Sequence, residues 1–169
     1  MRKIALVFAV LLLLLTGCRK EPDIVTVPGY QIHLNVNGIW SVAEESDYDL
    51  EMNAGDLQIR AVAHMDSDFA EPVPAEELYA SHNKDLQGLY ASLKTVEEVT
   101  SYTKDTKTIW TSKYISGEKT IYSCMVSFGN EAGSSIWIAL SGPTNRMDQN
   151  IRAFLNMVEG MTCDAESVS

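Results

Sequence analysis

The chain has 169 residues, 46% of them hydrophobic and 21% charged, with 13 basic against 23 acidic side chains and a formal charge of −10. That length and apolar share suit one folded domain with its own core, and they exclude a chain too polar to fold. The acidic excess excludes a basic patch for nucleic acid or anionic lipid headgroups, because like charges repel.

Residues 1–17 read as a signal peptide. Arg2 and Lys3 precede an apolar run from Ile4 to Leu15, and Leu15-Thr16-Gly17-Cys18 closes it. A charged start, a short apolar core and small residues at the cut site define a secretory signal. A Cys directly after the small residues makes it a lipobox, the signal of bacterial lipoproteins. The apolar run is shorter than the roughly 20 residues of a membrane-spanning helix. Cys18 is therefore expected to be the first residue of the mature chain, with acyl chains of the palmitate class on its thiol and amino group. A single chain anchors only marginally, so stable attachment takes two or more. The expected place is the extracytoplasmic face of a membrane, periplasmic or at the cell surface. The lipid on Cys18 makes the membrane one partner, and an envelope protein is the other expected one. Without Arg2 and Lys3 the mature chain keeps 11 basic against 23 acidic residues, a charge of −12.

Residues 18–28 read as the lipidated Cys and a tether, with charges, two prolines and no clear period. Period-two alternation predicts a strand from Gln31, with Ile32, Leu34 and Val36 on one face. Asn37-Gly38 predicts a tight turn into a second strand, Ile39 to Glu44. Tyr48, Leu50 and Met52 alternate with Asp47, Asp49 and Glu51 in a third strand, and a hairpin turn at Asn53–Asp56 leads into a fourth, Leu57–Met65. The period then changes. Pro74 and the acidic pair Glu76-Glu77 suit the start of a helix over Ala75–Leu93, with Leu78, His82, Leu86, Leu89 and Leu93 as its apolar stripe. Strands are predicted at Val96–Lys104, Thr108–Ile115, Thr120–Phe128 and Ser134–Ser141, all rich in β-formers. A final helix, Pro143–Val158, carries Met147, Ile151, Phe154, Leu155 and Val158 on one face. Residues 164–169 read as a polar tail, which leaves 29–163 as a single domain. Strands, a helix, more strands and a closing helix predict an α+β fold, a mostly antiparallel sheet with a central and a C-terminal helix packed on it.

This order resembles the PsbP-like fold, an α/β/α sandwich shared by photosystem lipoproteins, Mog-type Ran-binding proteins and bacterial DcrB-type proteins. Tyr30-Gln31-Ile32-His33-Leu34 is similar to that group's first strand, and Asn37-Gly38-Ile39-Trp40 to its turn and Trp, with Asn37 where many members carry Pro. The resemblance spans roughly Val27 to Met161. It implies a protein that binds or supports an assembly, and it carries over no catalytic residue and no cofactor.

The residues themselves show no nucleophile elbow, P-loop, dinucleotide glycine motif or zinc spacing. His33 and His64 could meet across strands, but a His pair alone does not make a metal site. Asp47, Asp49 and Glu51 form an acidic ladder, either a cation collector or a solvated face that discourages edge pairing. Trp110, Tyr114 and Trp137 have two open readings. They are core if helices cover both sheet faces, and a candidate binding groove if one face is bare. Cys124 and Cys163 are an even pair in an oxidising compartment, hence a candidate disulfide. Closing a loop of about 40 residues would stabilise by roughly 4 kcal/mol. Against the bond, the final helix should end some 16 Å from Cys124, and a bond needs Cα atoms within about 7 Å. The expected function is a non-catalytic binding or assembly lipoprotein of the cell envelope, ligand unknown. The alternative is an envelope hydrolase, or another enzyme whose site assembles only in three dimensions.

Overall fold

In the computed structural model the described residues are 23–164. The signal peptide, Cys18, the tether up to residue 22 and the tail beyond Asp164 lie outside them. Ten strands and two α-helices follow in the order β1 (Asp23–Val27), β2 (Ile32–Val36), β3 (Ser41–Val42), β4 (Leu50–Ala54), β5 (Leu57–His64), α1 (Ala75–Leu89), β6 (Lys94–Lys104), β7 (Lys107–Ser116), β8 (Lys119–Ser127), β9 (Ser135–Pro143), α2 (Thr144–Glu159) and β10 (Thr162–Cys163). A single 3-10 turn, Asp66–Asp68, links β5 to α1.

The strands form two antiparallel sheets. Seven run in the order β3-β4-β5-β9-β8-β7-β6, and three in the order β1-β2-β10. In β5 every second residue is buried, as period two requires of a strand with one covered face. The central strands are different. In β8 and β9 nearly every residue is buried, because α1 covers one face and α2 the other. The α+β prediction is therefore right, with helices on both sides of an antiparallel sheet. Beneath α2 and the small sheet, Ile32, Leu34, Ile59, Ile136, Ile138, Leu140 and Phe154 belong to one core. Beneath α1, Tyr79, Leu86, Tyr114, Met125 and Trp137 form a second.

Several expectations change. Five residues assigned to the tether, Asp23–Val27, are a strand that pairs with β2, and Val27 is completely buried. Asn37-Gly38 does turn the chain, with Ile39 N–H donating to Asn37 O at 2.7 Å. It does not close a hairpin. β2 lies in the small sheet and β3 in the large one, so the turn carries the chain from one sheet to the other. Helix α1 stops at Leu89, where Tyr90 adopts extended backbone and its N–H reaches Leu86 O. The helix face that meets the sheet centres on Tyr79, Asn83 and Leu86, while Leu89 is 58% exposed.

The ends of α2 are held by the β7–β8 turn and by the start of β7. Thr144 N–H and Oγ1 both donate to Glu118 O, at 2.8 and 3.0 Å. At the other end the buried ammonium of Lys107 donates to the carbonyls of Glu159 and Met161, which places a cation at the negative end of the helix. Close approach also matters before the helix begins. A Cβ on Gly142 would lie 2.5 Å from Leu57 Cδ2, so a larger residue there would require that side chain to shift.

Candidate functional site

The sheet switch after β2 creates a recess. The turn Asn37–Trp40 stands off the large sheet, and α2 runs alongside it. Between them lies a cleft of about 350 Å³, lined by Asn35, Val36, Asn37, Ile39, Trp40, Ile59, Asn150, Ala153, Phe154, Asn156, Met157 and Gly160. Its floor is core: Val36, Ile59, Phe154 and Met157 are buried. Its rim is amide and aromatic. Asn35, Asn37 and Asn156 are exposed, Trp40 is half-buried, and no charged side chain lines the cleft. Asn150 donates to Arg146 O at 2.7 Å. Among the described residues, the side-chain amides of Asn35, Asn37 and Asn156 bond to no protein group.

A second recess, about 500 Å³ between β1 and the β3–β4 region, differs in charge. Glu44, Asp49 and Glu51 line it. Asp49 and Glu51 of the acidic ladder are here, and both carboxylates already have partners. Asp49 Oδ2 accepts the Ala63 N–H at 2.8 Å. Glu51 accepts from Gln58 at 2.9 Å and sits 3.4 Å from Arg60 Nε. Among the described residues no group of three His, Cys, Asp or Glu side chains is placed to hold a metal ion.

His33 and His64 do not meet. His33 belongs to the small sheet, with its ring between Thr26 Oγ1 at 2.8 Å and Asp164 Oδ2 at 3.1 Å. His64 on β5 meets His82 on α1, Nε2 to Nε2 at 2.8 Å. One ring must donate N–H and the other accept, so the contact requires at least one neutral ring. His82 also stacks on Trp137, with centroids 5.0 Å apart and planes 18° apart. Burial lowers the pKa of both, and the neighbouring His64 lowers His82 further, to about 4. Asp68 and Asp49 pull His64 partly back. His82 borders a recess of about 240 Å³ with Asp47, Tyr48, Val62 and Asp85.

The three aromatics proposed as a groove do not share one. Tyr114 and Trp137 are 6% and 3% exposed beneath α1, and Trp110 is packed against the same cluster. Trp137 Nε1 donates to Ser123 Oγ at 2.9 Å, so even its polar edge is committed inside the sheet. The core reading of these residues holds because both helices are present. Cys124 and Cys163 are free thiols. Cys124 is fully buried in β8, and burial pushes its thiol well above the usual range, which leaves it no nucleophilic character. Cys163 lies on β10 opposite Ile32, with Asn130 Nδ2 3.5 Å from its sulfur.

Sequence reasoning missed the cleft because nothing in the chain order joins Asn35 and Asn37 to Asn150 and Asn156. Only the sheet switch brings them together. The His64–His82 pair left a trace, since His82 interrupted an otherwise apolar stripe. Its partner came from the strand beneath α1.

No family model matches the sequence, and no curated protein matches it. Solved structures do resemble it. Cyanobacterial PsbP from Synechocystis sp. PCC 6803 superposes with a TM-score of 0.62 at 12% identity, covering 88% of this chain and 96% of that one. The fold is the PsbP-like one. LpqN of Mycobacterium tuberculosis, described as involved in cell envelope biogenesis, gives a TM-score of 0.60 at 12% identity over 83% of this chain and 89% of its own. The Ran-binding protein Mog1p of Saccharomyces cerevisiae gives 0.55 at 12% identity, over 83% and 94%. At such identity the likeness concerns backbone architecture. A cyanobacterial PsbP, a protein involved in cell envelope biogenesis and a Ran-binding protein share it, so the fold itself names no ligand.

Proposed function

We propose that this chain is a non-catalytic binding or assembly lipoprotein of the bacterial cell envelope, anchored through acyl chains on Cys18. The observation that carries the reading is the run Leu15-Thr16-Gly17-Cys18 behind Arg2, Lys3 and an apolar core. The fold supports it, since the envelope-biogenesis protein LpqN has the same architecture. The chemistry supports it as well. The buried thiol of Cys124 is inert, the buried hydroxyl of Ser123 is taken up by Asn83 and Trp137, and the half-buried His64 and His82 spend their Nε2 atoms on each other. Among the described residues no helix is long and apolar enough to cross a membrane.

Metabolic labelling with an alkyne palmitate, followed by cell fractionation, tests the anchor. Wild type should incorporate the label and partition with membranes. Cys18→Ser should lose the label and the lipid-dependent partitioning. Equal labelling of the two proteins would overturn the lipoprotein reading.

A further inference from the structure

We propose that the cleft between the Asn37–Trp40 turn and α2 is a binding site for a neutral saccharide of one or two rings. The proposal deepens the reading of this chain as a binding protein and rests on that reading. Four amide side chains, Asn35, Asn37, Asn150 and Asn156, meet one indole, Trp40, around a floor of core residues. An amide offers both donors and an acceptor, which is what a ring of hydroxyl groups requires. A sugar hydroxyl likewise donates and accepts. The indole and the apolar floor supply a surface for the C–H face of a pyranose, which is apolar although its rim is polar. Three of the four amides have no protein partner, so their hydrogen-bonding capacity is free for a ligand.

Charge decides the class. The chain carries a formal charge of −10, yet no acidic or basic side chain lines this cleft. An ionic ligand would enter without a countercharge and would lose hydration with no repayment. The second recess, with Glu44, Asp49 and Glu51, shows what this surface is like elsewhere. The cleft volume, about 350 Å³, lies at the small end of the range for ligand sites, which limits the occupant to one or two rings.

The test uses the full lipoprotein in a zwitterionic detergent, because glycoside detergents would compete. Saturation-transfer NMR and calorimetry are run with maltose and N,N′-diacetylchitobiose as neutral sugars, glucuronic acid and glucosamine as charged ones, and a short uncharged peptide. At least one neutral disaccharide should bind, and neither charged sugar should bind as well. Trp40→Ala should weaken binding by about tenfold or more. Asn37→Asp and Asn156→Asp, which keep side-chain shape but add charge, should weaken it too, with circular dichroism unchanged. The proposal is overturned if no neutral sugar binds, if only the peptide binds, or if the binding survives all three substitutions. Failure here leaves palmitate labelling of Cys18 untouched. Loss of that labelling would remove the envelope reading without altering sugar binding by the purified protein.

Discussion

The two faces of the seven-stranded sheet are built on different principles. Beneath α2 the contact is apolar, with Met147, Phe154, Met157 and Val158 lying over Ile136, Ile138, Leu140, Cys124 and Val126. Beneath α1 it is aromatic and hydrogen-bonded. Tyr79 Oη donates to Ser123 O at 2.9 Å and lies 2.6 Å from Ser112 Oγ. Ser123 Oγ donates to Asn83 Oδ1 and accepts from Trp137 Nε1, both at 2.9 Å. Non-directional packing seats α2 by volume, and a bonded network seats α1 by geometry. The α2 face should therefore fail when volume is removed, and the α1 face when one polar atom is removed.

The largest expected effect is on the apolar face. Phe154 is 3% exposed and meets Tyr122 edge to face, with ring centroids 6.3 Å apart. Phe154→Ala should cost about 3–5 kcal/mol, the usual range for a buried aromatic truncated to Ala. Urea denaturation would measure it as a lower midpoint at unchanged slope. A loss under about 1 kcal/mol would mean that α2 is not seated by packing.

The same core is closed on its outer side by the small sheet. A protein beginning at Pro28 instead of Asp23 removes β1, and with it the fully buried Val27. The expected loss is about 2–3 kcal/mol, the worth of one buried aliphatic side chain. Equal melting of the two proteins would return residues 23–27 to the tether.

On the other face the probe is one oxygen. Tyr79→Phe keeps the ring and deletes the hydroxyl, which leaves the buried Ser123 carbonyl short of a donor. The expected cost is about 1–2 kcal/mol. A conservative change on the apolar face, Met157→Leu, should cost less. If the two substitutions rank the other way, the contrast between the faces is wrong.

How legible each face was follows from the same contrast. Alternation in β5 and the i, i+4 spacing of Met147, Ile151 and Leu155 are written in apolar residues, so the sheet and α2 could be read directly. Alternation also sorts β9, where Trp137 and Ala139 belong to one core and Ile136 and Ile138 to the other. The registration of α1 was not, because its inward residues include Tyr79 and Asn83, and a polar Asn does not signal burial. Its apolar stripe therefore pointed at Leu89, which is exposed. The Trp40 cleft was hidden more deeply. Asn37-Gly38 reads as a hairpin from local chemistry, and only pairing of β10 with β2 and β3 with β4 shows that the chain changes sheets there.

The smallest effect concerns acid. His64 and His82 sit at the edge of the α1 face, and burial lowers the pKa of each, that of His82 to about 4. In the unfolded chain both return to about 6.5. Between these values the unfolded state binds more protons than the folded one, so stability falls as pH drops through that window. Above about 6.5 the contribution is complete. Asp68 and Asp49 oppose the shift of His64 and Asp85 that of His82, and solvent at the half-buried rings screens it, which leaves about 1 kcal/mol. His82→Gln cannot be protonated. Its stability should fall by about 1 kcal/mol less than that of wild type between pH 7 and 4.5, while the carboxylates titrate alike in both. Hydrogen exchange locates the effect. On acidification the amides of α1 should lose protection before those of α2, because protonating both rings breaks a contact that only α1 makes. Simultaneous loss in both helices would place the acid sensitivity elsewhere than in the His64–His82 pair.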